Sequence, residues 1–163
     1  MRSAMRMALA ASAAILAIGA AQAQDLNLKV GIEGAYPPFN NLTADGQLVG
    51  FDVDIANALC AEIKAKCEFV VQDWDGMIPA LLAGKFDVII ASMSMTAERK
   101  EKVDFTNKYY NTPSGIAVPM DSDIKGVTKE DLAGKTLGAG TSTVYYNYAS
   151  VTYTDSDIKT YPS

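Results

Sequence analysis

Short apolar segments alternate with amphipathic segments along the first half of the chain, and this alternation constrains the fold more than any other feature. Leu28, Val30 and Ile32 alternate with polar or small residues and predict a first strand. Two further strands are predicted at Glu68–Gln72 and Asp87–Ala91, each preceded by a helix. A β-α-β-α-β order with short connections indicates a parallel sheet of the α/β class.

Turn and capping residues set the expected boundaries of these elements. Gly34–Asn41 contains two prolines and predicts a loop, and Asp45-Gly46 predicts a tight turn. Asp52 is expected to cap the first helix, and Gly84 to end the second. The second half of the chain predicts an apolar strand at 115–119. A second parallel unit is predicted after it, with strands at 136–139 and 158–161 and a tyrosine-rich helical segment that follows Thr143.

The N-terminus has the pattern of a secretory signal peptide. Arg2 and Arg6 precede an apolar, alanine-rich stretch, which ends in the A-x-A cleavage site Ala21–Ala23. We expect residues 1–23 to be removed on export. The net charge of the chain, −5, would then become −7, because both removed charges are arginines. Such an acidic surface argues against nucleic acid or anionic lipid as a partner.

Cysteine and histidine usage narrows the possible chemistry. The chain has no histidine, which excludes Ser-His-Asp and Cys-His catalysis and removes the commonest zinc ligand. Cys60 and Cys67 are the only cysteines, and export to an oxidising compartment favours a disulfide between them. A catalytic or metal-binding pair is the alternative, although its usual spacing is C-x-x-C.

The segment Asp87–Arg99 indicates an anion site. Val88–Ala91 fits a buried parallel strand, and ligands of open α/β sheets bind beyond the carboxyl ends of such strands. Thr96 is a suitable N-cap, which puts Arg99 at the third position of the following helix, where the helix dipole disfavours a cation. An anion held by hydroxyls, backbone N–H groups and the guanidinium would resolve this conflict. Neighbouring glutamates are the alternative source of negative charge.

Several motifs, in order and with near-constant spacing, resemble those of bacterial periplasmic amino-acid-binding proteins of ABC importers (solute-binding protein family 3). The paired cysteines resemble those of the branch that binds lysine, arginine, ornithine, histidine or opines. The matching segments cover essentially all of the chain after the signal peptide: 34–39, 50–56, 74–81, 84–87, 92–99, 103–106 and 132–135.

The resemblance implies a two-lobed α/β fold of the type II periplasmic binding protein class. The first lobe would span 24–110 and lack its C-terminal return segment, a hinge crossing would span 111–117, and an incomplete second lobe would span 118–163. In the family pattern, the second-lobe acid that receives the ligand ammonium and the return to the first lobe lie beyond Ser163. We therefore expect the sequence to be truncated.

The resemblance also implies a ligand site. Ser92, Met93, Ser94 and Arg99 would hold the α-carboxylate, assisted by Ser142 and Thr143 of the second lobe. Tyr36 and Trp74 would sandwich the ligand side chain, and Glu33 would face the distal end of a basic ligand. Each of these last three residues also has a purely structural interpretation: a loop anchor for Tyr36, a packing lid for Trp74 and a solvated strand-end acid for Glu33.

The expected function is that of a monomeric, non-enzymatic receptor without a cofactor or metal, which delivers a polar, basic amino acid to the membrane subunits of an ABC importer. A periplasmic enzyme on the same scaffold is an alternative. A cyclic-carboxylate dehydratase of this kind could reuse Arg99 as its anion site and Glu33 as its general acid or base. The sensing domain of a larger receptor is a third possibility.

Overall fold

A computed structural model describes residues 26–162, so the predicted signal peptide at 1–23 lies outside the described part of the chain. Strand β1 (Leu26–Ile32) is the centre of a three-stranded parallel sheet, between β5 (Ala65–Val71) and β6 (Val88–Ile89). Val30 of β1 is in register with Phe69 on one side and Val88 on the other. The parallel order predicted from the sequence is confirmed, although β5 begins earlier and β6 is shorter than expected.

Between β1 and β5 the chain forms a small antiparallel sheet and a helix. The small sheet contains β2 (Ala35–Tyr36), β3 (Asn40–Leu42) and β4 (Leu48–Val49). The prediction of a loop over Gly34–Asn41 was therefore wrong at both ends, where Ala35–Tyr36 pairs with Asn40–Asn41. The two prolines are compatible with this pairing, because they lie between the paired residues and replace no hydrogen-bond donor of the ladder. The predicted turn at Asp45-Gly46 is confirmed, and it joins β3 to β4.

Helix α1 (Phe51–Glu62) begins at a glycine and not at a capping carboxylate. The prediction that Asp52 caps this helix was wrong: Gly50 is the N-cap, and no side chain caps α1. Asp52 lies inside the helix and has no exposed surface. The predicted disulfide is confirmed: Cys60 near the end of α1 is bonded to Cys67 of β5, with the two Cα atoms 6.2 Å apart.

The core under the first sheet forms where α2 meets β1 and β6. A 3₁₀ turn at Trp74–Gly76 leads into α2 (Met77–Leu82), and Gly84 adopts φ +71° just after it, as a helix C-terminus requires. Phe86 lies so close to β1 that a Cβ atom on Gly31 would be 2.6 Å from its ring. The buried residues of this cluster are Met77, Ala80, Phe86 and Ala91.

Helix α3 (Ala97–Lys100) follows β6 and begins as predicted, because the Thr96 hydroxyl accepts a hydrogen bond from the backbone N–H of Arg99 at 3.1 Å. The predicted strand at 115–119 was wrong. Its residues are exposed and have no paired strand among the described residues, so an apolar run alone did not produce a sheet.

The predicted second parallel unit of strand, helix and strand is present within residues 128–161. Helix α4 (Lys129–Leu132) precedes β7 (Thr136–Gly140), and α5 (Val144–Thr152) leads to β8 (Asp157–Tyr161), which pairs with β7 in parallel. Its buried residues are Leu132, Ala149 and Tyr153. We call the part that contains β1–β6 and α1–α3 the N-terminal unit, and 128–161 the C-terminal unit. None of the described helices has the length and apolar character of a membrane span.

Candidate functional site

Arg99 is held by one backbone carbonyl from each unit. Its Nη1 donates to the carbonyl oxygen of Ser94 at 2.8 Å, and its Nη2 donates to that of Ser142 at 3.1 Å. The guanidinium carbon lies 5.3 Å from the centre of the Trp74 ring, a cation–π distance. Burial lowers the pKa of Arg99 and the charge of Glu98 opposes this shift, but a guanidinium stays charged in proteins. The guanidinium of Arg99 is therefore charged and held in one orientation by these contacts.

The turn that precedes Arg99 is held by hydrogen bonds to the carboxylate of Asp52. Ser92 adopts φ +53°, and its hydroxyl donates to both carboxylate oxygens of Asp52 at 2.9 Å. Asn40 Nδ2 and the Tyr109 hydroxyl also donate to this carboxylate, each at 2.8 Å. Tyr109 in turn accepts from the backbone N–H of Ser92 at 3.0 Å. Burial, together with the bond to Asp52, raises the pKa of Tyr109. In this structure the Ser92 hydroxyl therefore binds Asp52.

The C-terminal unit contributes the loop before α5. The Thr143 hydroxyl caps this helix: it accepts from the backbone N–H of Tyr146 at 3.2 Å and donates to the carbonyl of Gly140 at 2.7 Å. Ser142 adopts φ +56°, and its carbonyl accepts from Trp74 Nε1 at 3.2 Å as well as from Arg99. The two units thus contact each other through residues predicted to bind the ligand.

A cleft of about 520 Å³ lies between the two units at this point. Seven of the nine predicted ligand residues line it, namely Glu33, Tyr36, Trp74, Ser92, Ser94, Arg99 and Thr143. Met93 instead packs against the apolar cluster of the N-terminal unit and lines a neighbouring cavity. Ser142 reaches the site through its carbonyl and is not among the residues that line the cleft.

Aromatic rings from both units border the cleft. Tyr36 stacks on Phe39 with ring centroids 5.2 Å apart, and Phe39 stacks on Tyr110 at 5.1 Å. Burial, followed by the interaction with Tyr145, raises the pKa of Tyr36 to about 12. Tyr145, at the second position of α5, lines the cleft and was missed by the sequence analysis. Its position two residues after Thr143 was the available signal.

The charges of the cleft are few and opposite in sign. Among the described residues that line it, Glu33 is the one acid and Arg99 the one base. The remaining lining is neutral and includes four aromatic residues, namely Tyr36, Trp74, Tyr145 and Tyr161. No group of three or more His, Cys, Asp or Glu side chains with metal-ligand geometry occurs within 26–162. The arrangement suits a small zwitterionic ligand with a flat or apolar stem.

Comparison with known proteins identifies the family from this geometry and sequence. Residues 28–158 match the bacterial extracellular solute-binding proteins, family 3. The chain belongs to this family. A similar protein, the L-arginine-binding protein of Pseudomonas aeruginosa, is 48% identical over 137 residues, which cover 84% of this chain and 52% of that protein. The ABC transporter arginine-binding protein 1 of Escherichia coli is 36% identical over 143 residues, which cover 88% of this chain and 57% of that protein.

Solved family 3 structures are similar as well. One is described as an ancestral arginine-binding protein bound to arginine. It superposes with a TM-score of 0.76 at 38% identity, covering 83% of this chain and 60% of that one. This similarity confirms the predicted fold class. The chain spans about half the length of the curated family 3 relatives given above.

Proposed function

We propose that this chain is an extracytoplasmic receptor that binds a basic amino acid in the cleft and delivers it to an ABC importer. The observation that carries the proposal is that one acid and one base, Glu33 and Arg99, line the same cleft together with aromatic residues. An amino acid with a cationic side chain carries charges complementary to both of these residues. The family assignment and the arginine-binding relatives support the same ligand class.

In this proposal Arg99 binds the ligand carboxylate. Each terminal nitrogen of Arg99 donates one N–H to a backbone carbonyl, Nη1 to that of Ser94 and Nη2 to that of Ser142. Three of the five guanidinium N–H donors therefore remain for an anion. A charge-assisted bond of this kind is about twice as strong as a neutral one. Burial of the guanidinium strengthens the attraction further, because water screens it less.

The side chain of the ligand would lie against Trp74 and Tyr36, with its distal cation towards Glu33. Arginine, lysine, ornithine, histidine and opines all meet these requirements. The flat faces of the rings favour a planar guanidinium, which stacks on aromatic rings as well as attracting them electrostatically. We therefore rank arginine first. Closure of the two units on the ligand would be the state that the membrane subunits recognise.

The location and the partners follow from the same proposal. A periplasmic receptor needs an export signal, and residues 1–23 have the pattern of one. The Escherichia coli relative is named as a binding protein of an ABC transporter. We propose that the exported chain acts as a monomer and docks with the membrane subunits of an importer.

A thermal-shift panel with dialysed protein tests the ligand class. We expect arginine, lysine, ornithine and histidine at millimolar concentration to raise the Tm, and glutamate to leave it unchanged, because bound ligand stabilises the native state by mass action. The Arg99→Gln variant should lose the shift while keeping its own Tm within a few degrees. No shift with any basic amino acid would overturn the proposal.

The enzyme alternative has less support. One solved structure at 38% identity is described as an ancestral amino-acid-binding protein that is a precursor of cyclohexadienyl dehydratase. General acid–base chemistry on a ring carboxylate needs a positioned proton donor and acceptor, and Glu33 is the one carboxyl among the described residues that line the cleft. We propose binding without turnover. Product formation that disappears in Glu33→Gln would favour the enzyme.

A further inference from the structure

The carbonyl oxygen of Ser142 accepts hydrogen bonds from two side chains of the opposite unit. Trp74 Nε1 lies 3.2 Å from it and Arg99 Nη2 lies 3.1 Å from it. Both donors belong to residues that line the cleft. One carbonyl of the C-terminal unit therefore contacts both the proposed carboxylate-binding cation and the proposed aromatic wall.

The backbone conformation that directs the Ser142 carbonyl towards Trp74 and Arg99 is energetically unfavourable. Ser142 adopts φ +56°, a left-handed conformation that residues other than glycine seldom adopt. The flanking threonines hold the loop in place. Thr141 donates from its backbone N–H and its hydroxyl to the carbonyl of Tyr161, both at 2.9 Å, and the Thr143 hydroxyl donates to that of Gly140 at 2.7 Å. Strained, well-anchored backbone of this kind concentrates at functional sites.

The second anchor of Arg99, the carbonyl of Ser94, belongs to the same unit as Arg99. When the two units separate, the guanidinium keeps this anchor and loses the one from Ser142. Its orientation in the cleft then rests on one hydrogen bond, to the Ser94 carbonyl, and on the contact with the Trp74 ring. The direction of its remaining donors is therefore coupled to closure.

We propose that Ser142 is a positioning residue, whose backbone carbonyl orients Arg99 so that the carboxylate site is complete only when the two units close. This proposal rests on the proposed function. It assigns to Ser142 an acceptor role through the backbone, whereas the sequence resemblance implies that donors of this loop, which include the Ser142 hydroxyl, bind the ligand carboxylate. The two roles predict different effects of substitution.

Two substitutions at Ser142 separate these roles, with arginine and agmatine as probes. Agmatine is arginine without its carboxylate, so it cannot use Arg99 in the same way. Ser142→Ala removes the hydroxyl and keeps the left-handed backbone accessible, and we expect arginine affinity within twofold of the wild type. Ser142→Val disfavours that backbone strongly, because a β-branched residue rarely adopts it. By titration calorimetry we expect Ser142→Val to lower the affinity for arginine at least tenfold and the affinity for agmatine less than threefold.

Ser150→Val is the matched control, since Ser150 is an exposed serine of α5 that does not line the cleft. Trp74→Phe is the second variant and keeps an aromatic ring while deleting the Nε1 donor. We expect it to lower the ratio of arginine to agmatine affinity at least threefold, because the carbonyl loses one of its two donors. This variant keeps the proposal testable where Ser142→Val fails to fold.

Three results would overturn the proposal. A tenfold loss of arginine affinity in Ser142→Ala would show that the hydroxyl binds the ligand. An equal loss for both ligands in Ser142→Val would indicate a general effect on the cleft. An unchanged affinity ratio in both Ser142→Val and Trp74→Phe would exclude orientation of Arg99. A wild-type protein that binds neither ligand would instead overturn the proposed function, and the present proposal with it.

Discussion

The hydroxyl of Ser92 lies 2.9 Å from both carboxylate oxygens of Asp52, which has no exposed surface. This contact joins the turn before Arg99 to helix α1, 40 residues earlier in the chain. Asn40 and Tyr109 complete the set of donors, and all three donors are neutral. A buried carboxylate is costly to leave unpaired, so the four residues stabilise the fold as one group.

Replacement of Asp52 should therefore destabilise the protein strongly. Asp52→Ala leaves three partly or fully buried donors without their acceptor, at about 1–3 kcal/mol each, so we expect a loss of about 3 kcal/mol or more. Urea unfolding should show a lower midpoint with an unchanged m-value. Asp54→Ala, on the exposed face of the same helix, is the control and should change stability by less than about 0.5 kcal/mol. A loss below about 1 kcal/mol in Asp52→Ala would contradict this prediction.

The disulfide should contribute measurably because it joins a helix to a strand. Cys60 and Cys67 are seven residues apart, and closing so short a loop in the unfolded chain corresponds to about 2.5 kcal/mol. We expect the double variant Cys60→Ala/Cys67→Ala to lose about that much stability in urea unfolding. Wild-type protein treated with a reductant should approach the same midpoint. Equal midpoints for oxidised and reduced wild type would refute the expectation.

Stability should fall at alkaline pH partly through Tyr36. Its pKa in the folded protein is raised from 10.0 to about 12, so the folded state favours the neutral phenol. The resulting stabilisation is complete below about pH 10 and is lost as the pH rises from 10 to 12. Urea midpoints measured across this range should fall less steeply in Tyr36→Phe than in the wild type. Parallel curves would show that Tyr36 makes no contribution.

Glu33 should determine whether the cleft prefers a cationic ligand. We expect Glu33→Gln to lower the affinity for arginine at least tenfold and the affinity for glutamine less than threefold, because only arginine presents a positive charge to this carboxylate. Titration calorimetry with both ligands gives the comparison. Glu62→Gln, an exposed glutamate near the end of α1, is the matched control. Equal losses for the two ligands would assign Glu33 a structural role.

Much of the N-terminal unit was predictable from local sequence. The parallel order follows from alternating segments, and the start of α3 follows from Thr96, because both depend on residues close together in the chain. The position of Arg99 in the first turn of α3 was also predicted from the cap. Its carbonyl partners were not, since one of them lies 43 residues later.

The errors arose where distant contacts outweigh local preference. An aspartate at the start of a helix usually caps it, yet the donors to Asp52 come from residues 12, 40 and 57 positions away and hold it inside the helix. Residues 115–119 have the composition of a strand, but a stable strand also requires a second strand with which to pair, and the described residues provide none here. Tyr145 was missed because an aromatic residue in a helix usually packs in a core.

The single tryptophan of the chain lies in the cleft, within cation–π distance of Arg99 and hydrogen-bonded to the opposite unit. Its indole emission therefore reports on one place only, and that place is where the two units meet. Arrival of a ligand changes the polarity around the ring, and separation of the units removes the acceptor of its N–H. Steady-state and stopped-flow fluorescence of the unlabelled protein can thus follow both occupancy and closure in real time.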